Sequence, residues 1–383
     1  MLFIFAIFPV VIGTFLTIKY WGFIRDNLQD GGIGIVCLFY SPALVSLVIA
    51  AITYGINSSE IRDREYWGGY ITSIRHEEAW NEYIHATCYR TESCGKDCTT
   101  LVPYDCSYVQ YHPDLKIGYD SNGETHYISD NLYYELRNRF GNEKKIGRHH
   151  GYTISGDILT CQFGGADKDM YTVVTEHTYR NPTQIANNVI SFPVISDKEA
   201  RKMGLYEYPK PGKQYELYAP SVLGMASTLG ERKLDLLNAK YGKQLQLKVF
   251  ILIFDDKPQT IFQDQRNYWR NGNKNEFVIC IGRANGKITW ADVFSWTDSD
   301  YLLNEVKNKL AMDIDKQFHL SDFCDYLEPK LLSGWKRKPF HDFDYLLMGG
   351  LGLNSYLWNF LLTFLVTIGC LFFVEYDVQS KLY

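Results

Sequence analysis

Two things are scarce in this sequence: surplus positive charge and recognisable catalytic motifs. The 383 residues include 39 Lys and Arg against 44 Asp and Glu, which gives a formal net charge of −5 at pH 7. A nucleic-acid-binding face needs an excess of basic residues, so the composition argues against a nucleic-acid partner. A Ser-His-Asp spacing, a phosphate-binding glycine loop and an HExxH zinc motif are all missing. Function therefore has to be inferred from the fold and from smaller clusters of residues.

Charge is also missing from three long apolar stretches, at 1–18, 33–56 and 345–374. About 20 apolar residues cross the hydrocarbon core of a bilayer as a helix. The sequence therefore predicts transmembrane helices at 1–20, 33–56 and 350–375, with the lipid bilayer as a partner. A secretory signal peptide is the alternative for the first stretch, but it lacks basic residues at its start and a small-residue cleavage site.

The aromatic content of 15%, with 29 Tyr and 22 Phe, favours strands between the second and third spans. Residues 60–195 contain many short strand patterns separated by turns and predict a strand-rich module. One exception is Glu77 to Tyr83, which predicts a short helix. Residues 196–220 predict a linker, and 221–335 predict an α/β module. The predicted fold class is thus an α+β membrane protein with three transmembrane helices.

Four cysteines lie close together in the strand-rich module, in a polar segment with few apolar residues. Such a segment needs a covalent or metal staple to stay ordered. In an oxidising compartment the four predict two disulfides, with three possible pairings that the sequence does not decide. In a reducing compartment the thiolates and a nearby histidine could hold Zn²⁺, or the four thiols could remain free. The residues of this cluster are Cys88, Cys94, Cys98, Cys106 and His85.

Two signals disagree about the side of the membrane on which residues 60–335 lie. The Lys and Arg residues close to the spans favour the cytoplasm under the positive-inside rule. The clustered cysteines favour an oxidising compartment instead. Residues that flank a long translocated domain constrain orientation less than short loops do, so we predict an extracytoplasmic domain.

The α/β module shows clear signals for alternating helices and strands. Leu245 to Phe254 ends in six consecutive apolar residues, a pattern typical of a strand buried on both faces. Phe277 to Ile281 predicts a second buried strand, and Asn285-Gly286 predicts a tight hairpin turn after it. A helix that ends at Gly242 precedes the first strand. The first two strands are expected to run parallel, because a helix connects them.

Residues 240–290 carry a family resemblance. Their most specific part is Tyr268 to Glu276, with the sequence YWRNGNKNE, which leads into an apolar strand. This segment resembles a TPM domain, in which a strand and a helix ending in a Trp–Gly–Asn-type turn precede a second strand and a hairpin. The resemblance implies a membrane-tethered, extracytoplasmic α/β domain, and some members are phosphatases or metal-binding assembly factors.

Paired carboxylates follow the most buried predicted strand. Asp255 and Asp256 stand between this strand and the next helix, where open α/β sheets place their ligand crevice. Carboxylate and amide oxygens suit Ca²⁺ or Mg²⁺, and Asn273, Asn275 or Glu276 could complete the ligand set. A metal-bound water could then hydrolyse a phosphoester. Asp-Asp-Lys-Pro is equally a good turn sequence, with acidic residues favoured before a helix.

These observations leave three hypotheses for function. The preferred one is an integral membrane protein whose ectodomain binds a protein partner or a second copy of the chain. The alternative is a TPM-like metal-dependent phosphohydrolase centred on Asp255 and Asp256. The third is an assembly element that packs a Tyr-rich surface, Tyr206 to Tyr218, against a partner.

Overall fold

The computed structural model divides the chain into two compact units. The first comprises Met1–Asp63, Thr178–Phe192 and Pro339–Tyr383, and the second comprises Arg64–His177 and Pro193–Lys338. Both predicted modules, 60–195 and 221–335, therefore lie mainly in the second unit. The structure describes residues 7–19, 21–26, 40, 43–48, 51–52, 61–95, 98–149, 156–185, 192–212, 217–226, 228–344, 357–358, 360–366, 368–369, 372 and 376.

The helices and strands are numbered in chain order. The helices are α1 (Ile7–Lys19), α2 (Trp21–Asp26), α3 (Asp130–Phe140), α4 (Asp197–Met203), α5 (Thr228–Leu245), α6 (Ile261–Tyr268), α7 (Asp300–Met312) and α8 (Leu320–Gly334). The strands are β1 (Arg62–Glu77), β2 (Trp80–Ile84), β3 (Thr87–Gly95), β4 (Cys98–Asp105), β5 (Tyr108–His112), β6 (Leu115–Asp120), β7 (Thr125–Tyr127), β8 (Lys144–Arg148), β9 (Asp157–Gln162), β10 (Thr172–Arg180), β11 (Val222–Leu223), β12 (Lys248–Asp255), β13 (Glu276–Ala284) and β14 (Lys287–Ser295).

The first unit overturns the membrane prediction. Its longest named helix, α1, has 13 residues and is about 20 Å long, shorter than the roughly 30 Å of a bilayer core. Throughout the described ranges, no helix is both long and apolar enough to cross a membrane. The predictions of three transmembrane helices and of an integral membrane protein with an extracytoplasmic domain are therefore wrong. Residues 1–6 and 20 of the first predicted span, and parts of the second and third, 33–56 and 350–375, lie outside the described residues.

A six-stranded sheet forms one part of the second unit. Its strand order is β7-β6-β1-β9-β8, and β10 also pairs with β1. Helix α3 begins after Ser129, whose side chain accepts a hydrogen bond from the backbone N–H of Leu132, and ends at Gly141. The helix buries Leu132 and Leu136 against Ile71 and other side chains of the sheet. This part of the fold is strand-dominated, as the sequence indicated.

Two short antiparallel ladders extend from this sheet, and we call β2, β3, β4 and β5 together the arm. Strand β2 pairs with β5, and β3 pairs with β4. The two ladders are joined where the backbone N–H of Cys106 donates to the carbonyl of Ala86 at 3.0 Å. The short helix predicted at Glu77 to Tyr83 is wrong, because these residues form the end of β1 and most of β2.

The other part of the second unit is a four-stranded sheet with helices on both faces. Strands β11, β12 and β13 are parallel, and β14 is antiparallel to β13. Side chains of β12 alternate between two cores: Ile251 packs with α5, α7 and α8, and Leu252 packs with α4 and α6. The six-residue apolar run is therefore explained, and the predicted parallel pair is confirmed. The predicted linker contributes Ala200 and Leu205 to the second of these cores.

Candidate functional site

The five predicted metal ligands lie at opposite ends of the parallel sheet. Strands β12 and β13 are in register, with Lys248 beside Glu276 and Asp255 beside Arg283. At about 3.3 Å per residue, the two ends of this ladder are roughly 23 Å apart. The crossover helix α6 returns the chain to the start of the sheet, so Asn273, Asn275 and Glu276 do not meet Asp255 and Asp256. The expected single Ca²⁺ or Mg²⁺ site is therefore not assembled.

Asp255 and Asp256 have local partners instead. Asp255 forms a two-pronged ion pair with Arg283, at 2.8 and 2.9 Å. Asp256 is exposed, adopts a left-handed backbone conformation with φ of 53°, and donates its N–H to the carbonyl of Arg283 at 2.8 Å. Over the residues that the structure describes, no three His, Cys, Asp or Glu side chains are grouped to hold a metal ion. The acidic pair thus serves as the turn that leaves β12.

Glu276 is the centre of a buried polar cluster at the other end of the sheet. Its side chain is fully buried and accepts hydrogen bonds from the hydroxyl of Tyr208 and from the side-chain and backbone N–H groups of Asn273. Burial raises the pKa of Tyr208 well above its ordinary value, and the nearby Glu276 carboxylate raises it further. Asn275, also buried, donates to the backbone carbonyl of Tyr66 on β1 at 2.8 Å. These residues fix the loop before β13 and link the two sheets.

Lys248 is a buried lysine beside this cluster. Its ammonium group donates to the hydroxyl of Ser221 at 2.9 Å, and Ser221 also accepts from Asn238 at 3.1 Å. Burial lowers the pKa of Lys248 to about 8, and the carboxylates of Asp235 and Glu276 partly oppose this effect. A neutral lysine beside a serine could act in catalysis, but Lys248 is 3% exposed and Ser221 is 1% exposed. We therefore read the pair as a structural element.

The pKa of Lys248 predicts a distinctive pH dependence of stability. The unfolded lysine keeps its proton up to about pH 10.5, whereas the folded one releases it above about pH 8. Between these values the unfolded chain binds more protons, so this group raises the free energy of unfolding by up to about 1.4 kcal/mol per pH unit. We expect urea titrations to show this slope in the difference between the wild type and Lys248→Met. A difference that stays constant from pH 7.5 to about 10 would contradict the assignment.

The arm contains the whole predicted cysteine cluster. Cys88 and Cys106 form a disulfide, and Cys94 is also disulfide-bonded. The disulfide prediction is therefore confirmed for Cys88 and Cys106, and the structure supplies a pairing that the sequence left open. Zinc binding needs thiolates, which this pair does not provide. His85 is exposed, and its ring contacts Tyr83 with ring centroids 4.4 Å apart.

The base of the arm is held by stacked rings and carboxylates. Trp80 lies between His112 and His149, with ring centroids 4.3 and 4.5 Å apart. The ring Nε2 of His112 also pairs with Glu82 at 2.9 Å. The backbone N–H of Glu78, just before β2, donates to the carbonyl of Asp157 at 3.0 Å. The arm is thus anchored at its base and stapled at its joint.

Beyond its base the arm is exposed on both faces. Every residue of β3 except Cys88 is exposed, and so is most of β5. A two-stranded hairpin alone is only marginally stable, which explains the need for a disulfide. Large apolar side chains are exposed along the arm and belong to no core cluster formed by the described residues: Tyr89 (65% exposed), Leu101 (65%), Tyr104 (44%), Tyr108 (53%), Val109 (55%) and Tyr111 (64%). Exposed apolar surface of this extent is typical of an interaction site.

Comparisons with known proteins found no match to this chain. No family model matches the chain, and neither the curated proteins nor the solved structures include a significant match. The resemblance of residues 240–290 to a TPM domain therefore stays a prediction. The case for function depends on the geometry of the chain itself.

Proposed function

We propose that this chain is a protein-binding module and that the arm is its contact element. The observation that carries the proposal is the row of exposed aromatic and aliphatic side chains on a disulfide-stapled ribbon. Tyrosines supply large contact areas with little loss of side-chain entropy. A ribbon stapled before binding also loses less conformational entropy when a partner binds. Exposed apolar side chains on a preorganised ribbon are properties of a binding surface.

The other two hypotheses have weaker support. A TPM-like metal-dependent phosphohydrolase needs one ligand set, and its five expected ligands are divided between the two ends of the sheet. Two tyrosines of the Tyr-rich surface have partners within the fold, whereas Tyr218 is 41% exposed. The hydroxyl of Tyr206 donates to the carbonyl of Ile253, and the ring of Tyr208 packs against Phe250 and Trp269. Residues 213–216 of that surface lie outside the described residues.

Site-specific photo-cross-linking in the full chain tests the proposal. A benzophenone side chain at Leu101 or at Tyr111, in the cells that produce the protein, is expected to form discrete protein adducts. Met312 on α7 is 74% exposed and lies outside the arm, so it is the matched control position. Adducts that are absent from both arm positions, or equally frequent at Met312, would contradict the proposal.

Removal of the disulfide provides a second measurement that tests the same proposal. The disulfide joins cysteines that are 18 residues apart in the sequence. A disulfide that closes a loop of this length stabilises the folded state by about 3 kcal/mol. We expect Cys88→Ser/Cys106→Ser to lower the adduct yield at Leu101 and to speed amide exchange in β3 and β4. Exchange in β12 and β13 should stay unchanged, because their core does not involve the arm.

A further inference from the structure

The ladder formed by β3 and β4 has two edges, and these differ in their ability to pair with another strand. Over the described residues, β3 and β4 form a two-stranded sheet, so each strand has one outward edge. Strand β4 contains Pro103, opposite Tyr89, and proline has no N–H to donate to a neighbouring strand. Strand β3 has no proline, and its pairing with β4 is regular from Thr87 to Ser93. The outer edge of β3 is therefore the one that is open to pairing.

We infer that this edge pairs antiparallel with the same edge of a second copy of the chain. The inference rests on the proposed function and names the partner. Its basis is the order Arg90-Thr91-Glu92 in the middle of β3. A two-fold axis through Thr91 places Arg90 of each copy opposite Glu92 of the other, and places the two Thr91 residues opposite each other. Opposite charges and Thr–Thr pairs across strands stabilise a sheet.

Charge also selects this register over its neighbours. A two-fold axis normal to a sheet must pass through a residue position, so that each residue faces a residue on the same side of the sheet. An axis through Arg90 would place two arginines opposite each other, and an axis through Glu92 would place two glutamates opposite each other. Like charges directly opposite one another are destabilising. Within one copy, Arg90 Nε already donates to Glu92 Oε1 at 2.7 Å, so both charges lie on one face.

The same geometry limits the assembly to two copies. The combined sheet would have the strand order β4-β3-β3-β4, and both of its outer strands contain Pro103. Further strands would meet an edge that contains a proline, which has no N–H to donate. An isologous pair of this kind closes on itself and does not extend into a fibre. The arm therefore fits a second copy of this chain in a closed dimer.

A charge-swap experiment on the full chain tests this dimer by sedimentation velocity. Arg90→Glu and Glu92→Arg each turn both attractive pairs into repulsive ones, and each should raise the dimer dissociation constant about tenfold or more. An equal mixture of the two variants should dimerise again, because the heterodimer restores both Arg–Glu pairs. Arg201→Glu, at an exposed position on α4, is the control for a charge change outside the arm.

Cysteine pairing at the two-fold axis supplies a second measurement. Directly opposite Cβ atoms lie about 5 Å apart, so Thr91→Cys should yield a dimer that reducing agent separates, and Thr100→Cys on β4 should not.

A monomeric wild type, single variants that dimerise as well as the wild type, or a mixture that stays monomeric would each overturn the inference. Photo-adducts at Leu101 with a different protein alone would overturn the dimer and leave the binding function standing. An absence of adducts at both arm positions would contradict the binding function itself.

Discussion

Alanine at position 68 is expected to destabilise the second unit by about 3 kcal/mol. Gly68 on β1 lies against helix α5, where an added Cβ would be 2.4 Å from the carbonyl oxygen of Asn238 and 2.6 Å from its carbonyl carbon. These are backbone atoms, so relief requires a shift of the whole helix or strand. Overpacking of a tight contact typically destabilises a protein by about 1–3 kcal/mol, and a backbone obstacle falls at the upper end.

Gly242 reports on the same contact from the helix side. An added Cβ there would be 2.4 Å from the carbonyl oxygen of Gly68. In an unobstructed helix, Gly→Ala stabilises the protein by about 1 kcal/mol. We expect Gly242→Ala to destabilise it instead, which is the opposite of the usual effect. Because both substitutions disturb one contact, their combined effect should be smaller than the sum of the two.

Urea titration of the single and double variants measures these effects. Gly164→Ala is the matched control, because an added Cβ at this position meets nothing within 4 Å. We expect the control to unfold at the wild-type urea concentration and both contact variants to unfold earlier. A Gly68→Ala protein as stable as the control would mean that the strand and the helix are not in close contact.

The sequence predicts Gly242 as the end of its helix, and the structure shows why that expectation is wrong. Helix α5 continues to Leu245, and Gly242 lies within it at the crossing with β1. Glycine is common after the last turn of a helix, but it also permits close approach of two backbones. The second use depends on a contact with a distant strand, which the local sequence does not reveal.

The α/β part of the fold was predictable because its signals are local and strong. Consecutive apolar residues place apolar side chains on both faces of a strand and therefore predict burial on both faces. Strand β12 is buried in this way. The Asn285-Gly286 turn is similarly informative, since both residues adopt positive φ values, 50° and 78°, between β13 and β14. Strand β11 was missed because two residues, Val222 and Leu223, are too few to show a period.

The arm and the membrane spans show where local signals are insufficient. Residues 77 to 83 have no strong preference, and β2 is a strand because β5 pairs with it. The membrane prediction counted apolar residues, but a span also requires one long apolar helix, and none of the helices in the described ranges meets this requirement. The candidate metal site failed for a topological reason, because loops adjacent in sequence to one crossover helix lie at opposite ends of a parallel sheet.

Loss of the Glu276 carboxylate is expected to destabilise the second unit by about 3–5 kcal/mol. Glu276→Ala would leave the hydroxyl of Tyr208 and the N–H groups of Asn273 buried without their acceptor. It would also remove a negative charge that favours the protonated form of the buried Lys248. Breaking a buried set of charges by removing one member is far more damaging than breaking a surface pair.

The comparison with a surface carboxylate makes the Glu276 prediction specific. Glu207 pairs with Arg201 at 3.3 Å and is 58% exposed, so Glu207→Ala should change the free energy of unfolding by less than about 0.5 kcal/mol.

Tyr208→Phe removes one donor to Glu276, so in a double-mutant cycle its cost should largely vanish in the Glu276→Ala background. If the two costs simply add, the hydroxyl and the carboxylate do not interact. If Glu276→Ala is as mild as Glu207→Ala, the cluster does not hold the loop before β13. With either result, other contacts would join the two sheets, among them the glycine contact and the bond from Asn275 to Tyr66.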